Sequence, residues 1–303
     1  MVARWPLAVT LLLVEAVAAC GSSMTAAHGP SPSPTRTATP TAQVHAESLN
    51  VAGVERTYEL FVPSTLDPTH APPLVVILHP CPNTTAAQAA IALDGWATTD
   101  RFIAAYPQGA VESATGGTCW NAGACCTGAD DVGFVSQLID QLTAHFHVDK
   151  SRVFVAGFSF GAAMAYRVGC ELSDKVAAIA PVSGALVFQQ CHPARPVSVL
   201  IMHGTADTAF PYQGGGDNSV PSVAIVARLW ARLDGCAGNG AQTQAGIVTT
   251  TDWRSCSAGA EVESQVITGA PHAWFGLEPN PLPGEPNASS VVWGFFNALP
   301  ART

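Results

Sequence analysis

The sequence predicts an α/β fold, a mostly parallel β-sheet covered by helices on both faces. Continuous apolar runs recur along the chain, at Leu74–Leu78, Val153–Ala156, Val176–Ala180 and Val197–Met202. A strand that is apolar at every position has no solvent face, as in a sheet buried on both sides. Segments with helical spacing separate these runs, and that alternation builds parallel crossover units. The third observation is Gly157-Phe158-Ser159-Phe160-Gly161, set between Val153–Ala156 and the helix-forming Ala162–Tyr166. Strand, G-x-S-x-G and helix together make a nucleophile elbow, a turn so sharp that glycines must flank the serine.

Taken in order, folded structure is expected to begin near Ala46. Glu47–Asn50 and Arg56–Val62 read as strands about a turn at Ala52-Gly53. Leu74–Leu78 is a buried strand, Ala86–Thr98 a helix and Phe102–Tyr106 a strand. Asp130–His145 is an amphipathic helix, with Val135, Leu138, Ile139 and Leu142 on one face. After the elbow come the strands Val176–Ala180 and Val197–Met202, the helix Ser222–Leu233, the strand Glu261–Thr268 and a last helix, Ser289–Ala298. No internal repeat and no second domain boundary is visible.

Of 303 residues, 48% are hydrophobic and only 12% charged, which supports a large core and excludes an acidic disordered chain. The net charge is −9, and the only lysines are Lys150 and Lys175. That balance argues against nucleic acid and against polybasic attraction to anionic lipid.

Residues 1–19 read as a targeting segment, with Arg4 as its positive region and Leu7–Val14 as a short apolar region. Val17-Ala18-Ala19-Cys20 resembles a bacterial lipobox, in which Cys20 becomes the lipidated first residue and holds the protein to the membrane; ordinary secretion is the alternative. Residues 20–41, rich in Pro, Ser and Thr, form a tether, and 42–303 the catalytic domain. The nine cysteines are Cys20, Cys81, Cys119, Cys125, Cys126, Cys170, Cys191, Cys236 and Cys256. Lipid on Cys20 leaves eight for disulfides in an oxidising compartment. Locality favours Cys170–Cys191 and Cys236–Cys256, and the adjacent Cys125 and Cys126 are expected to take separate partners. There is no C-x-x-C pair and the histidines are scattered, so no metal site is expected.

An elbow serine needs a base, a residue that orients the base, and an oxyanion hole, in the chain order serine, acid, histidine. His272 lies in a loop after the last strand and is the preferred base over His203 and His192. Asp207 follows the strand ending at Met202 and is the preferred acid, with Asp217 as runner-up. The hole needs two amides. One is that of Phe160, after the nucleophile; the other comes from the loop after Leu78, where Pro80 has no N–H and Cys81 is the best donor. Trp120 and Trp274 are candidates for pocket walls, with core packing the equal alternative. This set of residues calls for no cofactor. It suits an ester substrate, and nothing in the sequence sets the oligomeric state.

These segments together resemble the secreted polyhydroxybutyrate depolymerase-like esterases, close to feruloyl and acetylxylan esterases. The resemblance rests on Leu78-His79-Pro80-Cys81, Cys119-Trp120-Asn121, Asp130–Val135, the elbow, His203–Asp207 and Pro271-His272-Ala273-Trp274. It implies an α/β-hydrolase fold, a carboxylic ester hydrolase, and a triad of Ser159, Asp207 and His272. Three departures touch the pocket walls. Pro80 stands where the family usually has glycine, Ala162 where it has a second glycine after the elbow, and Phe275 where proline often follows the tryptophan. An acyltransferase with the same triad and a non-catalytic surface lipoprotein remain as rival readings. No added substrate-binding domain is visible, which tilts the expected substrate toward soluble oligomers or small esters.

Overall fold

Two cores, one on each face of a twisted sheet, explain why the central strands are apolar throughout. The computed structural model describes residues 43–67, 69–83, 91–113, 116–123, 126, 128–216 and 219–301. The targeting segment, the tether, Cys20, Cys125 and Asp217 lie outside the described residues, as do 86–90 of the first expected helix.

The chain opens with β1 (Gln43–Val51) and β2 (Val54–Val62), paired antiparallel. The turn between them is Ala52-Gly53, both at positive φ, which matches the right-handed twist of a two-residue hairpin. Next come β3 (Leu74–Leu78), α1 (Asp94–Asp100) and β4 (Ile103–Pro107). A small hairpin, β5 (Val111–Glu112) with β6 (Thr118–Cys119), stands apart from the main sheet. Then follow α2 (Asp131–Phe146), β7 (Val153–Phe158), α3 (Phe160–Glu171), β8 (Ala178–Val182), β9 (Ser198–Gly204) and α4 (Val223–Leu233). The chain ends through β10 (Ala241–Ala245), β11 (Val248–Trp253), β12 (Val262–Ile267) and α5 (Ala288–Ala298).

Among the described residues, ten strands form one sheet in the order β1-β2-β4-β3-β7-β8-β9-β12-β11-β10. The six from β4 to β12 run parallel, and an antiparallel hairpin extends each edge. Alternation along β3 shows the two-core logic. Leu74, Val76 and Leu78 enter one core with α2, α3 and α4, while Val75 and Ile77 enter the other with α1 and α5. The expected hairpin, strands and other helices form, with ends displaced by a few residues; of the expected helix Ala86–Thr98 the described part is helical only from Asp94. The sequence reading lacked the short β5 and β6 and the longer β10 and β11. Residues Ala241–Ala245 carry no large apolar side chain and are exposed at every position, because an edge strand has less to bury.

Among the described residues three disulfides tie loops to this frame: Cys81–Cys119, Cys170–Cys191 and Cys236–Cys256. The two local pairings are those that locality favours. Loop closure of this size contributes about 3–4 kcal/mol each. A buried ion pair holds the first hairpin. Arg56 Nη2 lies 2.5 Å from Asp131 Oδ1, and donates to the Gln108 carbonyl at 2.9 Å. The guanidinium also lies over the Phe134 ring, 4.2 Å from its centroid. Asp131 Oδ2 accepts the Asn121 amide at 2.7 Å. This explains why the paired acids open α2: Asp130 caps the helix by accepting the Gly133 amide, and Asp131 anchors it inward. Removing one partner of a buried pair leaves the other charge uncompensated. Asp131→Ala is therefore expected to lower unfolding free energy by about 3–5 kcal/mol, read as a shift in the urea midpoint. A change under about 1 kcal/mol would place the pair among the weak surface type.

Candidate active site

Each side chain of the site rides on the carboxyl end of a parallel strand, the edge at which α/β sheets bind ligands. Ser159 follows β7, with φ 59° and ψ −121°. That backbone is left-handed and strained for a residue with a side chain. It is held by close approach on both sides. A Cβ on Gly157 would come 2.2 Å from the Gly161 carbonyl oxygen, and one on Gly161 would come 2.1 Å from that of Leu78. Only hydrogen fits at either place, so the elbow lies directly against the end of β3. The amide of Ser159 donates to the Val182 carbonyl at 3.1 Å, fastening the turn to β8.

Asp207 follows β9, and His272 follows β12, its parallel neighbour. The two loops are sewn together beyond the strand ends: the Thr205 amide donates to Ile267, that of Ala206 to Ala270, and that of Gly269 to Thr205 Oγ1. The result is a continuous relay. Nε2 of His272 is 3.0 Å from Ser159 Oγ, and Nδ1 is 2.9 Å from Asp207 Oδ2. A carboxylate only accepts, so Nδ1 carries the proton and Nε2 is left to accept from the serine. Asp207 is buried, which by itself would raise its pKa. Hydrogen bonds from His272 and from the Phe210 amide outweigh that burial, and its carboxyl lies below the ordinary range. Its Oδ1 accepts the amides of Ala209 and Phe210 at 2.9 and 2.8 Å. Phe158 stacks on the His272 ring with centroids 5.0 Å apart.

The other sequence candidates fall as follows. Phe160 is the first residue of α3, and Cys81 is tethered to Cys119 on β6. His203 is buried, and its Nε2 donates to the Phe210 carbonyl at 2.8 Å, bracing the acid loop as a packing residue. His192 is exposed. Trp120 and Trp274 are corrected as pocket walls. Their exposures are 0% and 1%, so neither offers surface to a ligand. Each indole N–H has an internal acceptor, the His79 carbonyl for Trp120 and Ser289 Oγ for Trp274, both at 2.9 Å. Trp274 acts indirectly, edge-on to Phe158 beneath the histidine. Two of the family departures are also core features. Phe275 is fully buried, and the Ala162 methyl occupies the space left by Gly184, where a Cβ would come within 2.5 Å of it.

Sequence reasoning missed His79 and Ser183. His79 is fully buried beneath the loop that carries Cys81. Its Nδ1 donates to the Pro80 carbonyl at 2.8 Å, and its Nε2 accepts the Gly109 amide at 2.9 Å. The ring also packs on Trp120. Burial pushes its pKa down to about 4, only partly opposed by the Pro80 bond; a second proton would displace the Gly109 amide. Ser183, at the end of β8, donates to the Ala273 carbonyl at 2.8 Å and fixes the histidine loop. A serine in a strand-end Val-Ser-Gly gives no signal of this. His79 does carry a signal, because a histidine that ends a wholly apolar strand must be buried and bonded.

This architecture is that of the α/β-hydrolases, and solved structures agree. An acetyl xylan esterase from Aspergillus awamori superposes with a TM-score of 0.57 over 75% of this chain and 94% of that one, at 18% identity. The family model described as Esterase PHB depolymerase matches residues 56–211, just over half of the chain, and the chain belongs to that family. Among curated relatives, feruloyl esterase B of Piromyces equi is 33% identical over 228 residues, 70% of this chain and 41% of the relative. A bifunctional acetylxylan esterase/xylanase of Neocallimastix patriciarum is 34% identical over 53% of this chain and 23% of the relative. The chain thus spans less than half the length of these two relatives.

The buried neutral His79 has a consequence for stability. The unfolded residue titrates at 6.5 and the folded one at about 4, so between those values the unfolded chain binds a proton that the folded chain does not. Stability contributed by neutral His79 is complete above pH 6.5 and is lost as pH falls toward 4, up to about 3 kcal/mol. His203, whose pKa burial also depresses, acts in the same direction. Urea unfolding at pH 7.5, 5.5 and 4.5 should show this decline, and His79→Gln should make it shallower, leaving the part due to His203. A wild-type profile that stays level across that window would rule the account out.

Proposed function

We propose that the chain is a serine carboxylic ester hydrolase that works by two-step acyl transfer to water. The observation that carries this reading is the Ser159–His272–Asp207 relay, with contacts of 3.0 and 2.9 Å at the mouth of the sheet. Ser159 attacks the ester carbonyl as Nε2 of His272 takes its proton. Asp207, kept ionised, holds the imidazole in the Nδ1–H tautomer and favours the imidazolium that forms. The amides of Phe160 and Cys81 are the proposed oxyanion donors, the first at the start of α3, the second in a loop held by Cys81–Cys119 and His79. His272 then gives its proton to the leaving alcohol, and water repeats the cycle on the acyl-enzyme.

Esters of polysaccharides, feruloyl or acetyl, are the proposed substrate class, supported by the names of the relatives. Polyester-derived and small esters fit the same chemistry. Disulfides persist in oxidising compartments, and three of them support a proposed extracytoplasmic location. Membrane attachment through lipid on Cys20, and residues 42–303 as the catalytic domain, are proposals from the sequence.

Two measurements test these statements. Ser159→Ala should lose roughly 10⁴-fold or more of kcat on p-nitrophenyl acetate and butyrate, and Asp207→Asn about 10⁴-fold through the wrong tautomer. Undiminished turnover in the serine variant would end the proposal. For the anchor, Cys20→Ser should move the protein from the membrane fraction to the soluble fraction of a bacterial host; equal partition of both forms would remove the lipid from the account.

A further inference from the structure

Beyond β9 the sheet continues into β12, β11 and β10, and this extension forms an open groove with α4 of about 460 Å³, within the range of small-ligand sites. Register places Gln242 on β10 opposite Thr251 on β11, with Thr249 two residues along the same face. Tyr212, Arg228 and Asn239 line the groove with them. None of these six side chains makes a hydrogen bond or ion pair within the protein among the described residues. Tyr212 touches His203 only through its ring.

The donor set is selective. Hydroxyls and carboxamides both donate and accept, which matches a ligand whose own groups do both. A polyphosphate would require several cations, and among the described residues lining the groove Arg228 alone is charged. Ala224, Ala227, Trp253 and Val266 also line the groove, but an acyl chain would leave the hydroxyls and carboxamides there without partners. A polyhydroxylated chain satisfies this set, and a single unpaired guanidinium, in a protein of net charge −9, has the planar fork that a carboxylate fits. The groove also reaches the catalytic loops. Thr205 and Thr268 line it, just ahead of Asp207 and His272 in their loops.

We propose that this groove is an oligosaccharide-binding site, selective for a chain that bears a carboxylate, with Arg228 as its anchor. It goes beyond the ester-hydrolase reading, because it holds the sugar rather than the reacting ester. Its exposed position implies modest affinity that weakens with salt.

Calorimetric titration of the full chain with two probes tests this: xylotetraose, and xylotetraose carrying one glucuronic acid branch. Both should bind saturably, the acidic sugar at least threefold more tightly. Arg228→Gln should erase that preference and Thr251→Val should weaken both sugars at least threefold. Neither substitution should change kcat/KM on p-nitrophenyl acetate. Absence of saturable binding, or binding indifferent to both substitutions, would overturn the proposal. So would equal weakening of both sugars by Arg228→Gln. Neither probe carries an ester, so failure of the hydrolase reading would appear in the Ser159→Ala assay and leave this result untouched.

Discussion

The left-handed backbone of Ser159 is the constraint around which the candidate site is arranged. A non-glycine residue at φ 59° costs of order 1–3 kcal/mol, and it persists because its surroundings permit nothing else. Gly157 and Gly161 let β3, the turn and α3 meet at backbone contact. The bond from Ser159 to Val182 fixes the same turn from the other side. With the hydroxyl so fixed, the remaining geometry depends on neighbouring strands. Asp207 and His272 leave adjacent parallel strands and are joined by backbone bonds beyond them. The relay therefore depends on rigid elements rather than on the conformations of isolated loops, which is how a reacting constellation is kept within the narrow tolerance that catalysis demands.

Support beneath this arrangement comes from neutral buried imidazoles. His79 joins the Pro80 carbonyl to the Gly109 amide, and His203 holds the carbonyl of Phe210, whose amide binds Asp207. Neither ring carries charge into the core; that of His79 bridges two segments through both nitrogens, while that of His203 bonds through Nε2. The two tryptophans belong to the same layer. Trp120 closes over His79, and Trp274 stands under Phe158, which in turn stacks on His272. Their large surfaces position the reacting groups from behind.

Much of this was legible in the sequence because it rests on local rules. The wholly apolar strands gave the parallel sheet, G-x-S-x-G in its strand–helix setting gave the elbow, and chain order gave Asp207 and His272 as the partners that the structure brings together. What was not legible depends on long-range contacts. The pairing of Cys81 with Cys119 spans 38 residues and has no local signal. Trp120 and Trp274 flank motif residues, and nothing in the sequence says which way an indole points. The β10–β11 hairpin escaped because its Gln and Thr residues lack the apolar period that marks a half-buried strand.

The Cys81–Cys119 bridge joins the loop after β3 to a two-residue strand outside the main sheet. That small hairpin has almost no core of its own, so the bond does for it what burial does elsewhere. A cytosol that keeps thiols reduced would deliver the same polypeptide with this corner unfastened, yet with both large cores able to assemble. Such material would melt below the native form, through the stability lost with its bridges, and would present a slack rim around the serine. The history of a preparation, rather than its sequence, would then decide what an assay reports.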